Sequence, residues 1–239
     1  MSTIVTIDVG NTSIHFAWVK NGRIVRTTLL PTAQSAMKSL EAVLSQDKKN
    51  TLYVCSVVPR VTALFRNLHQ HVYIVGENLK VPIVSLYNKK HIGMDRLVSA
   101  YAARILYPQV RIVIDFGTAI TVDFLSRTGV YEGGLILPGI GSTLRVLSSC
   151  ALLPRRIILR STQALIPRDT PQSINSGITE GFSSMVNVLV KKYKKFLCLK
   201  KNTRIVITGG DAQSILSRLD FAYSYEPFLI MKGLILLAN

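Results

Sequence analysis

The most constraining feature of the sequence is a pattern that occurs near the start and again near the middle of the 239-residue chain. The runs Asp8-Val9-Gly10-Asn11-Thr12 and Asp115-Phe116-Gly117-Thr118-Ala119 each follow a β-branched, apolar segment. Each predicts a strand that ends in a carboxylate and continues into a tight glycine turn. The similarity is longer than the turn, because residues 4–28 and 110–137 share the order strand, acidic glycine turn, strand, turn, strand. This repetition predicts an internal duplication.

Apolar periodicity predicts the elements around the two repeats. Helices are expected within 33–45, 61–69, 93–107 and 175–196, with two more near the C-terminus, and strands within 52–58, 72–75, 81–86 and 204–208. Asn21-Gly22 is a strong signal for a two-residue hairpin. We therefore expect an α/β fold of two lobes around a cleft, divided near Pro108 into residues 1–108 and 109–239.

Composition excludes several classes of protein. Hydrophobic residues make up 48% of the chain, which is typical of a globular protein. No secretory signal pattern opens the sequence, and the apolar stretch 228–238 is too short to span a membrane. Cys55, Cys150 and Cys198 lie far apart, which argues against a zinc site or a disulfide framework. A cytoplasmic location without membrane contact is therefore expected.

The formal net charge of +16 is the second unusual feature. A charge of this size can attract nucleic acid, an anionic membrane or an anionic metabolite. Positive residues are densest in Lys191-Lys192-Tyr193-Lys194-Lys195. This segment is either a solvated helix face or a surface for an anionic partner, and the sequence leaves both interpretations open.

The two acidic turns are also the strongest candidates for chemistry. A carboxylate at a strand end can hold a cation, and the glycine after it lets the backbone approach a phosphate closely. Asn11, Thr12 and Thr118 can donate hydrogen bonds to phosphate oxygens. One such turn alone would be interpreted as an ordinary Asp-Gly turn. Because Asp8 and Asp115 occupy equivalent positions of a repeat, they favour a site for phosphate and metal.

Further candidates lie at Gly93-Met94-Asp95-Arg96 and in the glycine pairs 133–134 and 209–210. Asp95 is either a helix cap or the acceptor of a substrate hydroxyl proton, and Arg96 is either a surface residue or the anchor of an anionic substrate. The first glycine pair indicates a bulge or a close backbone approach within a strand. The second pair either leaves room for an adenosine or is a plain turn between a strand and a helix.

Taken in order, these motifs resemble the type III pantothenate kinases, which belong to the acetate and sugar kinase/Hsc70/actin superfamily. The ordered set is specific although each motif alone is not. The matching segments are Asp8–Thr12, Gly93–Arg96, Asp115–Asp123, Gly133–Gly139, Leu153-Pro154, Thr170 with Ile174–Gly177, Thr208–Ala212 and Lys232–Leu234. The resemblance implies two duplicated ribonuclease H-like (actin-like ATPase) lobes around a nucleotide cleft.

The resemblance also implies ATP-dependent phosphorylation of pantothenate at its primary hydroxyl, the first step toward coenzyme A. It implies a homodimer that uses Mg²⁺ and a monovalent cation, K⁺ or NH₄⁺. Asp95 matches the catalytic base and Asp115 the ligand of the monovalent cation. The ATP phosphate loops match Asp8, Val9, Gly10, Asn11, Thr12, Ser13, Ile14 and His15 in the first lobe and Thr118 in the second. Substrate contacts match Tyr87, Gly93, Met94, Asp95, Arg96 and Thr170.

Two departures from the family pattern and two rival functions accompany this hypothesis. His15 stands where the family often has lysine or arginine, and the segment 87–92, with Lys89 and Lys90, is one residue short and lacks a common proline. One rival is a non-catalytic accessory, regulatory or nucleic-acid-binding protein on the same scaffold, for which the basic charge is the support. The other is a sugar or acetate kinase of the wider superfamily, and against it the Gly93–Arg96 run and the small size of the chain favour pantothenate. The carboxylates Asp8, Asp95 and Asp115 favour a kinase, because a binding protein has no chemical need for all three.

Overall fold

The computed structural model describes residues 4–33, 37–46, 49–68, 71–88, 91–150, 153–154, 157–159, 166–200 and 202–239. The strands are β1 (Ile4–Val9), β2 (Ser13–Lys20), β3 (Arg23–Pro31), β4 (Thr51–Ser56), β5 (Val72–Ile74), β6 (Val110–Phe116), β7 (Ala119–Leu125), β8 (Tyr131–Pro138), β9 (Arg204–Thr208) and β10 (Ser224–Tyr225). The helices are α1 (Met37–Gln46), α2 (Pro59–Leu68), α3 (Met94–Leu106), α4 (Ile140–Ser148), α5 (Thr170–Phe196) and α6 (Leu229–Ala238). Short 3₁₀ helices cover Gly210–Ser214 and Leu216–Arg218.

The two sheets repeat one topology, which confirms the predicted duplication. The first has the order β3-β2-β1-β4-β5, and the second has the order β8-β7-β6-β9-β10 when it is written in the same direction. In each, the strand with the acidic turn is central: β1 and β6 pair antiparallel with the next strand and parallel with the strand after the crossover. Asn21 and Gly22 have positive φ angles, as the predicted hairpin between β2 and β3 requires.

The first sheet is covered by helices on both faces. Alternate residues of β1, namely Val5, Ile7 and Val9, pack in one apolar cluster with Leu40 of α1 and Phe65 of α2. The opposite face meets α3 and α6, both of which pack against β4. On that face Cys55 of β4 lies in a cluster with Val98 of α3 and Leu234 of α6. This period-two division of side chains fixes which residues of the sheet face the helix α3.

The second sheet has its main core on one face. Ile112, Ile114 and Phe116 alternate along β6 and pack in one cluster with Ile140 of α4 and Ile178 of α5. The same cluster includes residues of β7 and β9 and of the segment after β9. Among the described residues, no helix combines the length and the apolar character that a membrane span needs.

Helix α6 belongs to the first compact unit although it comes last in the chain. That unit comprises residues 1–108, 125–133 and 228–239, and the second comprises residues 109–124 and 134–227. The predicted division of the two repeats near Pro108 stays a prediction, and the compact units differ from it by residues 125–133 and 228–239. Gly233 explains why α6 can pack there, because an added Cβ would lie 2.6 Å from Cγ1 of Val98 and 3.2 Å from Cβ of Ala102.

Some predicted elements differ from the observed ones for local reasons. Helix α5 begins at Thr170 rather than 175, because Asp169 caps it by accepting a hydrogen bond from the backbone N–H of Gln172. Helix α4 was not predicted. The segment 81–86 is not a strand, and it makes only one bridge, between Ser85 and Tyr131. Residues 34–36, where the first predicted helix begins, and residue 69 lie outside the described residues.

Two helical glycines provide a matched test of the contact between α3 and α6. We expect Gly233→Ala to lower the free energy of unfolding by about 1–3 kcal/mol, because its methyl group overpacks a filled contact. Gly181→Ala in α5 is the control, since an added Cβ there has no heavy atom within 4 Å. It should raise the free energy of unfolding by up to about 1 kcal/mol through helix propensity. Urea denaturation measures both, and equal stabilisation by the two substitutions would contradict the close α3–α6 contact.

Candidate functional site

The first acidic turn is held by hydrogen bonds within its own loop and to the segment after β3. The N–H of Gly10 donates to the carbonyl of Ser13 (2.9 Å), and the N–H of Thr32 donates to the carbonyl of Thr12 (3.0 Å). The buried Thr32 hydroxyl donates to the carbonyl of Gly10 (2.8 Å). These bonds fix the loop that leads from Asp8 into β2. Asn11 and Thr12 are exposed on this loop, as residues that donate hydrogen bonds to a bound phosphate must be.

His15 lies directly across from Asp8 in the β1–β2 register. One ring nitrogen of His15 is 3.1 Å from the hydroxyl of Ser13. Desolvation lowers the pKa of the His15 imidazole, so the neutral form is favoured at neutral pH. The last position of the predicted loop therefore contributes a hydrogen-bonding group rather than a fixed positive charge.

The charges of Asp8 and Asp95 both affect the pKa of the Cys55 thiol. Sequence reasoning did not place Cys55 near these two acids. Cys55 is opposite Asp8 in the parallel β1–β4 register, so their side chains share one face of the sheet. Burial raises the pKa of the Cys55 thiol well above its usual value, and the charges of Asp8 and Asp95 raise it further. The fold therefore brings the two predicted acids around a small, neutral, fully buried side chain. Only strand pairing and helix packing could have revealed this neighbour.

Asp95 occupies the first turn of α3, two residues after the N-cap residue Gly93. Its Oδ1 accepts a hydrogen bond from the backbone N–H of Arg96 (2.8 Å). A Cβ at Gly93 would overlap this oxygen, so only glycine leaves room for the carboxylate in its observed position. Burial nevertheless raises the pKa of Asp95, and the hydrogen bond and the charge of Arg96 only partly oppose that rise. A desolvated carboxylate with a raised pKa is the type of group that accepts a proton in catalysis.

Arg96, the next residue, points its guanidinium at two tyrosine rings. Its Cζ lies 5.7 Å from the ring centroid of Tyr87 and 5.8 Å from that of Tyr131. Only 6% of Arg96 is exposed. Met94 packs against Gly76, where an added Cβ would be 3.1 Å from Cγ of Met94. The structure therefore brings Tyr87, which sequence reasoning placed in the substrate site, into contact with Arg96.

The second acidic turn is stabilised by contacts within the second unit. The N–H of Gly117 donates to the carbonyl of Ala119 (3.1 Å). The carbonyl of Thr118 accepts from the N–H of Gly139 (3.2 Å) and from the hydroxyl of Ser142 (2.7 Å). A Cβ at Gly139 would run into the carbonyls of Gly117 and Thr118, so the start of α4 approaches this turn as closely as a backbone can. Sequence reasoning did not identify Gly139 and Ser142 as supports of the turn.

Asp115 has a different set of neighbours from Asp8. It pairs with Thr121 of β7 and with Thr208 of β9, so hydroxyl and carbonyl oxygens flank it. Oxygen donors of this kind suit a hard cation such as K⁺ or Mg²⁺. Within the described ranges, no three His, Cys, Asp or Glu residues come together as a metal-binding group. A second carboxylate lies beside this group, because the hydroxyl of Thr121 donates a hydrogen bond to Oδ2 of Asp123 (3.1 Å) on the same face of β7.

The remaining predicted positions are less informative. Thr170 is the exposed first residue of α5 in the second unit. Gly209, with a φ of 91°, approaches the backbone of Phe116 so closely that a Cβ would not fit, and a 3₁₀ helix follows it. Gly133 has a φ of 123° and faces the ring of Tyr87. Lys89 and Lys90 lie outside the described residues.

The raised pKa of Asp95 predicts a stability penalty that depends on pH. The folded chain binds the Asp95 proton more tightly than the unfolded chain, whose value is near 3.8, so the wild type loses stability as pH rises through the folded pKa. Asp95→Asn lacks this ionisation and keeps a side-chain oxygen for the N–H of Arg96. We expect the free energy of unfolding of the variant, minus that of the wild type, to increase from about pH 4 to about pH 7. Denaturant titrations at both pH values measure this difference.

The exposed residue Asp220 provides the control for the loss of one negative charge. The increase with pH should be larger for Asp95→Asn than for Asp220→Asn. A difference for Asp95→Asn that falls with pH would mean that the fold stabilises the Asp95 carboxylate, contrary to its burial.

Comparison with known proteins adds independent information to this geometry. A type III pantothenate kinase of Persephonella marina is 30% identical over 252 residues, covering 97% of this chain and 96% of the relative. The activator of the 2-hydroxyisocaproyl-CoA dehydratase from Clostridium difficile, solved with bound ADPNP, has a similar structure, with a TM-score of 0.55 at 14% identity over 98% of this chain and 91% of that one. An inorganic polyphosphate/ATP-glucomannokinase from Arthrobacter matches with a TM-score of 0.51 at 13% identity over 100% and 99% of the two chains.

These structural neighbours and the duplicated sheets establish the two-lobe α/β fold of actin-like ATPases and sugar kinases. The family model of type III pantothenate kinases matches residues 4–192, which is most of the chain. The motifs that it spans include the first acidic turn, the start of α3 and the second acidic turn. The chain therefore belongs to the type III pantothenate kinase family.

Proposed function

We propose that this protein transfers the γ-phosphoryl group of ATP to the primary hydroxyl of pantothenate, the first step of coenzyme A biosynthesis. The observation that carries the proposal is the start of α3, where a desolvated carboxylate and a buried guanidinium are adjacent residues. Such a pair suits a substrate with both a hydroxyl and a carboxylate, and pantothenate has both. Family membership supports the same reaction, which is that of a phosphotransferase.

In the proposed reaction, Asp95 accepts the proton of the substrate hydroxyl. The hydroxyl oxygen forms a bond to the γ-phosphorus while the bond from that phosphorus to the leaving oxygen of ADP breaks. The raised pKa of Asp95 makes it a better proton acceptor than an exposed aspartate. Arg96 pairs with the substrate carboxylate and so holds the hydroxyl near Asp95. Tyr87, Gly93 and Met94 complete the proposed substrate site, and Thr170 of the second unit is a further proposed contact.

The two acidic turns are the proposed phosphate loops for ATP. In the first, the backbone from Asp8 to His15 offers N–H groups and the side chains of Asn11 and Thr12 to phosphate oxygens. In the second, Thr118 is exposed next to Gly117 and offers its hydroxyl. His15 does not give the first loop a fixed positive charge. Neutralisation of the ATP phosphates therefore depends on bound metal ions and on the wider positive field of the protein.

Two cations complete the proposal. Asp8 would hold Mg²⁺ together with ATP phosphates and water, which is how proteins commonly bind this ion. Asp115 would hold K⁺ or NH₄⁺ with the oxygens of Thr121 and Thr208 around it. When bound, these ions neutralise the charge that develops on the transferred phosphoryl group. The threonines paired with Asp115 carry oxygens, which fit a hard cation.

Three coarser proposals remain from the family resemblance. Residues 1–108 and 109–239 are the proposed duplicated lobes. Helix α6 lies at the end of the second range but belongs to the first compact unit. The protein is proposed to work as a homodimer and to be cytoplasmic, which its widely spaced cysteines support. Retention of Asp8, Asp95 and Asp115 supports an enzyme over the rival accessory or nucleic-acid-binding role.

An ATP-consumption assay with pantothenate as the acceptor tests the proposed reaction. The wild type should release ADP only when pantothenate is present, and Asp95→Asn should retain the fold and lose roughly 10²–10⁴-fold in kcat, the usual scale of general base catalysis. Asp220→Asn is the control for removal of a carboxylate. Wild-type turnover that does not depend on pantothenate would refute the substrate, and near-normal kcat in Asp95→Asn would refute the base.

The cation role of Asp115 has its own test. We expect Asp115→Asn to raise the K⁺ concentration for half-maximal rate by about tenfold or more, because the variant lacks the proposed carboxylate ligand. A tenfold weaker affinity corresponds to about 1.4 kcal/mol of lost attraction. Initial rates should be measured over a KCl series, with a bulky quaternary ammonium chloride holding the ionic strength constant. An unchanged K⁺ dependence would remove Asp115 from the cation site without affecting the assignment of Asp95.

A further inference from the structure

Tyr131, the first residue of β8, connects two parts of the proposed substrate site through its backbone. Its N–H donates to the carbonyl of Val84 (2.8 Å), and its carbonyl accepts from the N–H of Leu86 (2.9 Å). The next residue in that segment is Tyr87, whose own N–H donates to the hydroxyl of Ser85 (3.1 Å). The segment 84–87 is not a strand, so these bonds to Tyr131 are what fix its course. Tyr131 therefore determines where Tyr87 lies.

The side chain of Tyr131 makes a second connection. Its ring is completely buried and meets the ring of Tyr87 edge-on, with centroids 6.5 Å apart and an angle of 72°. The guanidinium carbon of Arg96 lies 5.8 Å from the Tyr131 centroid. A cation near the face of a ring is attracted by the negative charge of that face, and the attraction increases where water is excluded. The guanidinium carbon and the two ring centroids form a nearly equilateral triangle, so the buried Arg96 has two adjacent aromatic partners that fix its direction.

We propose that Tyr131 is a positioning residue for the anionic end of the substrate. It acts through Arg96 and Tyr87, and it holds them in the geometry that pairs with a carboxylate. The inference rests on the proposed function, since it assigns Tyr131 to the same site. Loss of the ring should weaken substrate binding with little effect on phosphoryl transfer itself, because the ring contacts Arg96 and Tyr87, which are proposed to hold the carboxylate end of the substrate rather than the reacting hydroxyl.

The main alternative is that Tyr131 only fills the core. A fully buried aromatic residue contributes to stability wherever it lies, so lower stability alone does not distinguish the two roles. The discriminating measurement is the separation of KM for pantothenate from kcat and from KM for ATP. Phe65 provides a matched comparison, because it is also fully buried in the first unit. It belongs to the cluster on the face of the first sheet that is opposite to α3.

The experiment compares Tyr131→Met, Tyr131→Phe and Phe65→Met with the wild type in steady-state assays. Methionine fills space and has no aromatic face. We expect Tyr131→Met to raise KM for pantothenate about tenfold, with kcat and KM for ATP within about twofold of wild type. Tyr131→Phe should restore KM to within about threefold, because it keeps the ring. Phe65→Met should leave KM for pantothenate at the wild-type value.

Fluorinated phenylalanines introduced at position 131 test the same contact without removing the ring. Fluorine weakens the negative face while the shape of the side chain is nearly kept, so KM for pantothenate should rise stepwise with the number of fluorines. This series decides the question even if Tyr131→Met does not fold. An unchanged KM along the series, or equal KM for Tyr131→Met and Phe65→Met, would overturn the inference. Absence of pantothenate-dependent activity in the wild type would instead refute the proposed function.

Discussion

The close packing of α3 against α6 is the interaction on which the first unit's site depends. Gly233 lets α6 come near Val98, and the start of α3 carries both Asp95 and Arg96. A displacement of α3 would therefore move the proposed base and the proposed anion receptor together. Misplacement of about 1 Å can cost roughly 10²-fold in an enzyme rate. The last helix of the chain is thus part of the support for chemistry that begins near its middle.

The two acidic turns show how one duplicated topology can acquire two chemical surroundings. Asp8 and Asp115 occupy equivalent places on the central strands of their sheets. Their register neighbours differ, because Asp8 pairs with Cys55, whereas Asp115 pairs with Thr208. A buried thiol offers no hard ligand to a cation, but a threonine offers oxygens. The duplication explains why the turns are alike, and the residues on adjacent strands give the two carboxylates different neighbours.

Local signals predicted much of the fold. The Asn21-Gly22 hairpin, the strand 204–208 and the repeat of strand order all follow from short-range patterns, and the structure confirms them. The segment 81–86 was predicted as a strand because it is apolar, but Pro82 lacks an N–H and the segment bonds to one residue instead of a ladder. Helix α4 was missed because its glycine-rich start resembles a loop.

The chemistry was predictable only where it is local in sequence. The run Gly93–Arg96 has a carboxylate and a guanidinium on adjacent residues, so residue types made it a candidate, and the family resemblance gave the proposed roles. Cys55 could not be found that way, because it comes next to Asp8 through the pairing of β1 with β4. Tyr131 could not be found either, because it reaches the segment before Tyr87 through a backbone bridge to Ser85. Such neighbours are determined by tertiary structure and leave no motif in a single sequence.

The proposed reaction requires that α3 presents a hydroxyl acceptor and a carboxylate receptor side by side. A crystal structure with pantothenate and a non-hydrolysable ATP analogue tests it most directly. We expect the primary hydroxyl of pantothenate to lie within hydrogen-bonding distance of the Asp95 carboxylate and the pantothenate carboxylate to pair with Arg96. A complex in which the hydroxyl lies away from Asp95, or in which Arg96 contacts ATP instead of pantothenate, would contradict it.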